Sequence, residues 1–68
     1  MHPMERRRME LGITRADLGK KVKSTGEAVR LWETGQRTPT EKYYPLIAKA
    51  LKLKVGQVIE MFPALVSK

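Results

Sequence analysis

Cysteine is absent, and His2 is the only histidine among 68 residues. Those two gaps exclude disulfide staples, zinc fingers and most histidine-based metal or catalytic sites. No apolar run approaches the roughly 18 residues that a membrane-spanning helix needs. Arg6, Arg7 and Arg8 have no apolar stretch behind them, so a secretory signal is not expected. No Asn-Gly or Asp-Gly pair marks a hairpin, and apolar and polar residues nowhere alternate for long, which argues against strands. A Gly-rich phosphate loop, a nucleophile with a base and a metal-ligand cluster are all missing, so neither an enzyme nor a cofactor or metal site is expected. Acidic residues are scarce: 7 against 14 lysines and arginines.

What remains must fold by packing alone. Hydrophobic residues are 41% of the chain, enough for one small core. A chain of this size buries only about 60% of the surface it exposes when unfolded, so residues 1–68 are expected to form one economical domain. The net charge of +7 exceeds what solubility asks for. It points to a polyanionic partner, and the lack of a long apolar segment favours nucleic acid over a membrane. The cytoplasm, with association to the nucleoid, is the expected compartment.

The apolar spacing predicts helices throughout. A first helix over residues 3–11 has Pro3 at its first position and Gly12 as a left-handed stop. Met4 and Leu11 share a face with Arg8 between them, which leaves Arg6 and Arg7 wet. A second helix follows Thr14, whose hydroxyl and Asp17 form a capping box; Leu18 and Val22 are its inward stripe. A third is expected to begin at Ser24, with Glu27 completing another box, and to turn Val29 and Trp32 inward before Gly35. Pro45 would clash inside a helix that began at Thr40. A fourth helix is therefore placed from Pro45, after a loose turn over residues 41–44, with Ile47, Ala48 and Leu51 facing the core. A fifth covers residues 55–61, burying Val58 and Ile59. His2 precedes the first helix with no partner in the sequence and is read as a terminal residue without a role.

The second and third helices make a helix-turn-helix over about residues 15–34. Gly19 supplies the small residue where the two meet, and Leu18, Val22, Val29 and Trp32 fix their angle. The outer face of the third helix then carries Gly26, Glu27, Arg30 and Leu31, and a helix of this kind fits the major groove of duplex DNA. The chain from Arg6 to about Met61 resembles the Cro/repressor-like, or Xre, helix-turn-helix family. The resemblance rests on Leu11-Gly12-Ile13-Thr14-Arg15-Ala16-Asp17-Leu18-Gly19, on Val29-Arg30-Leu31-Trp32-Glu33-Thr34-Gly35, on Arg37-Thr38-Pro39 and on Ile47-Ala48-Lys49-Ala50-Leu51.

The resemblance implies an all-α, five-helix, lambda-repressor-like DNA-binding domain that binds double-stranded DNA as a homodimer. It implies that Thr14 and Arg15 meet the DNA backbone, and that Thr25, Gly26, Glu27, Arg30 and Leu31 hold the reading positions of a recognition helix over about 25–34. It places Gln36, Arg37 and Lys42 near phosphates and pairs Arg8 with Glu33 as an internal ion pair. This chain departs from the family at Lys23 and Lys52, where Gly is common, and at Gly26 and Leu31, where polar side chains are frequent.

Some readings stay open on sequence. Arg30 can grip guanine, touch phosphate or simply be solvated. Glu27 can accept from cytosine or serve the helix cap. Leu46, Phe62, Leu65 and Val66, with the apolar tail 63–68, either cover the core or form a dimer contact. The leading function is a sequence-specific transcriptional regulator of the repressor, Cro or restriction-control type. An antitoxin-like protein-interaction module with secondary DNA binding and a protein partner is the alternative.

Overall fold

The computed structural model describes residues 2–62, which form five α-helices and no strand. They are α1 (Pro3–Glu10), α2 (Arg15–Lys21), α3 (Gly26–Glu33), α4 (Tyr44–Leu51) and α5 (Val55–Met61), with a short 3-10 turn at Glu41–Tyr43 leading into α4. Pro45 sits in the first turn of α4, where its missing N–H costs nothing. The helix thus starts at Tyr44, one residue before the expected start.

Each helix contributes a stripe to one core. Met4, Leu18, Val22, Val29, Ile47, Leu51 and Val58 are fully buried, and Trp32, Tyr44, Ala48 and Phe62 nearly so. A buried side chain of the Val, Leu or Ile class contributes about 1.5–3 kcal/mol over its exposed state, which is how so short a chain holds together without a staple. Phe62 is a core residue and not a free dimer contact: its ring stacks on Tyr44 and lies 5.1 Å from the His2 ring. Leu65, Val66 and the rest of the tail lie outside the described residues.

The ends of α1 are tied in two ways that spacing did not reveal. His2 is not idle: its Nδ1 accepts a hydrogen bond from the Met4 backbone N–H at 3.0 Å and caps the helix. Arg7 is not simply wet, because its Nε donates to the Leu51 carbonyl at 2.9 Å and satisfies an orphan group at the end of α4. Both partners are distant or depend on ring orientation, so periodicity alone could not find them.

The turn between α2 and α3 is close-packed. A side chain at Gly19 would collide with the Thr25 carbonyl carbon and come within 2.7 Å of the Gly26 nitrogen. Lys23 sits in the left-handed region at φ 59°, and Lys52, after α4, at φ 58°. Each position costs on the order of 1 kcal/mol relative to glycine.

Candidate nucleic-acid interface

The interface is built around α3. Its N-cap is Thr25, whose hydroxyl accepts from the Ala28 N–H at 3.1 Å. The cap therefore lies one residue later than the expected Ser24, and Glu27 does not belong to a capping box. Its carboxylate instead accepts from Arg30, with Arg30 Nε at 3.0 Å from Oε1. Residues three apart on a helix are neighbours, so the pair forms as soon as the helix does. The Arg30 hydrogen bond holds the Glu27 carboxyl below its ordinary range, and Glu27 in turn raises Arg30.

The other flank of α3 is locked. Val29, Trp32 and Glu33 are buried. The Glu33 carboxylate is fully enclosed and accepts from Arg8 Nε at 2.8 Å and from Arg15 Nε at 2.9 Å. Arg8 also donates to the Ile13 carbonyl at 2.9 Å, and Arg15 Nη2 lies 3.6 Å from Glu5. Four charged side chains from α1, α2 and α3 thus fix the end of α3. Arg15, expected against phosphate, turns its Nε inward to Glu33 and keeps 35% of its side chain exposed. The sequence could not show this, because Arg8 and Arg15 meet at the same carboxylate only once α1 and α2 both pack against α3.

The expected residues separate into distinct places. Thr14 and Asp17 close the capping box of α2, at 3.0 and 3.2 Å. Gly26 does not simply face outward. A Cβ there would press within 3.2 Å of the Ala16 backbone, so the residue serves the contact between α2 and α3. Leu31 is half-buried on the outer side, and Thr25 and Glu27 are exposed. Gln36, Arg37 and Lys42 are exposed after α3; Gln36 bonds Thr34, and the Lys42 ammonium lies 5.3 Å from the Tyr43 ring centre. Arg37 shares a shallow depression with Ser24, Ala28, Thr38, Thr40 and Tyr43. The loop is therefore folded back beside the first turn of α3. Ser24 and Thr40 were expected only as helix starts and Thr38 only as part of the Arg37-Thr38-Pro39 motif, while Ala28 carries no sequence pattern that points to a surface depression.

This arrangement, two short helices at a glycine contact with one outward flank and a basic loop beside it, defines a helix-turn-helix DNA-binding domain. A helix-turn-helix family model matches residues 4–58, and the chain belongs to that family, in its Cro/Xre type. The five helices are the lambda-repressor-like fold. The family's domains are DNA-binding domains of the transcription-regulator type. No curated protein and no solved structure matches the chain. Among the described residues, no helix is long and apolar enough to cross a membrane.

Proposed function

We propose that this chain is a sequence-specific transcriptional regulator that acts by occupying duplex DNA, with α3 in the major groove. One observation carries the reading: the inward flank of α3 is held by Val29, Trp32 and Glu33 while Glu27, Arg30 and Leu31 stay outward. Arg30 is suited to grip guanine, Glu27 to accept from cytosine, and Leu31 to meet a thymine methyl. The Glu27–Arg30 pair is solvent-exposed, so exchanging it for base contacts costs little. Arg37, Lys42 and the exposed part of Arg15 neutralise phosphates, and Thr14, Thr25 and Gln36 lie at the edges of the same surface.

Binding as a homodimer matches a two-fold-symmetric site. With Phe62 in the core, the large apolar side chains left exposed among the described residues are Met9 and Val55. If each protomer neutralises about four phosphates, the logarithm of affinity falls with the logarithm of salt at a slope of about −3.6 per protomer. The deciding experiment is selection of bound duplexes from a random pool. A recovered inverted repeat supports the reading and gives the half-site spacing; recovery of unrelated sequences with a slope near zero rejects it.

A further inference from the structure

A second charged feature shares no residue with the surface just described. At the end of α2, the turn after it and the facing side of α4, the chain forms a cleft lined by Lys21, Lys23, Leu46, Lys49, Ala50 and Lys52. No acidic residue lines it. None of its four lysines enters an ion pair among the described residues. Asp17, one turn before Lys21, has its carboxylate bonded to the Thr14 N–H at the far end of α2. Leu46 and Ala50 are half-buried and give the cleft an apolar floor.

Two of these lysines, Lys23 and Lys52, are also the two non-glycine residues with positive φ among the described residues, at 59° and 58°. Glycine would relieve the backbone at both places and remove both charges. Strained residues that converge on one concavity point to a use for their side chains.

We infer that this cleft docks an acidic segment of a partner protein, carboxylates on the lysines and one apolar side chain on Leu46 and Ala50. The chemistry selects this occupant over the others. A phosphate backbone would satisfy the ammonium groups and leave the apolar floor uncovered. A second copy of the chain offers no acidic segment: Glu5, Glu10, Glu27 and Glu33 are in ion pairs, Asp17 is in a helix cap, and the two exposed acids that remain, Glu41 and Glu60, stand singly, Glu41 next to Lys42. Residues 63–68 contain a lysine and no acidic side chain. The same cationic rim makes Leu46 a poor homodimer contact, since like charges would face each other. The inference does not depend on what α3 reads.

The test uses the full chain and a fluorescein-labelled peptide, acetyl-Asp-Glu-Leu-Asp-Glu-Leu-Asp-Glu-amide, with a charge-matched peptide carrying Ser for Leu. The leucine peptide is expected to bind about tenfold more tightly than the serine peptide. Its amide shift changes are expected at Lys21, Lys23, Leu46, Lys49, Ala50 and Lys52. The double variant Lys23→Gly/Lys52→Gly is expected to unfold at a higher temperature and yet bind the peptide about fivefold more weakly, so a folding defect cannot explain the loss. Its affinity for duplex DNA should change less than about threefold at physiological salt. Equal binding of the two peptides, unchanged peptide binding by the glycine variant, or shift changes centred on Glu27 to Leu31 would each overturn the inference. An equal loss of duplex affinity would make the cleft a DNA contact. A tenfold gain in peptide binding on deleting residues 63–68 would make it the seat of the chain's own tail. Either result also overturns the inference.

Discussion

Helix α3 carries two Glu–Arg associations that look alike in sequence and differ in kind. At its first turn, Glu27 and Arg30 pair in open solvent. At its last residue, Glu33 is enclosed and shared by Arg8 and Arg15. The exposed pair is a local product of helical spacing, screened by water and easily exchanged for other partners. The enclosed network joins three helices, and removing Glu33 would strand the buried Arg8 charge. One end of the helix is therefore built to hold still and the other to be reused, as the proposed role in the major groove requires.

The contrast can be broken most sharply at Glu33. Glu33→Ala is expected to destabilise the fold by about 3–5 kcal/mol, because Arg8 stays buried without its partner. Chemical denaturation measures it, and a loss no greater than that of a surface mutation would erase the distinction between the two ends. Gly19→Ala attacks the same rigid side through packing and should cost about 1–3 kcal/mol by overfilling the α2–α3 contact. At the reusable end the effects move from stability to binding. Arg30→Ala should lower discrimination between sequences about tenfold while leaving the denaturation midpoint in place. Arg37→Ala should weaken binding to all duplexes alike and reduce the salt slope by about 1. The reverse assignment of these two effects would exchange their roles.

The smallest expected effect is a pH dependence at His2. Burial lowers its pKa from 6.5, with nearby carboxylates opposing the shift. The unfolded chain therefore binds more protons in the window just below pH 6.5, so stability present above that value is lost as pH falls through the folded-state pKa. His2→Gln should remove this component of a stability titration between pH 7 and the acid limb. A slope that survives the substitution would assign it to another group.

Much of the fold was legible because its signals are local. The Thr14–Asp17 box, the stop at Gly12, the place of Pro45 and the extent of α5 follow from capping, left-handed geometry and the missing proline N–H. The start of α3 was misplaced because Ser24 and Thr25 are both good caps, and the contact at Gly19 decides which one the helix uses. Among the candidate interface residues, the outward positions of Glu27, Arg30 and Leu31 follow from the inward ones. The inward turn of Arg15 and the packing role of Gly26 required knowledge of which helices touch, and the cap at His2 depends on the orientation of its ring.

Periodicity, capping residues and charge balance in the chain by itself determined that it is helical, that a helix-turn-helix lies near its middle and that a polyanion suits it. Those are properties of residues a turn or two apart. Tertiary structure alone decided that three helices share the Glu33 carboxylate, that Phe62 closes the core, and that four lysines from two segments line one cleft. Each of these depends on side chains far apart in sequence, and only the packing of the helices sets the distances between their charges.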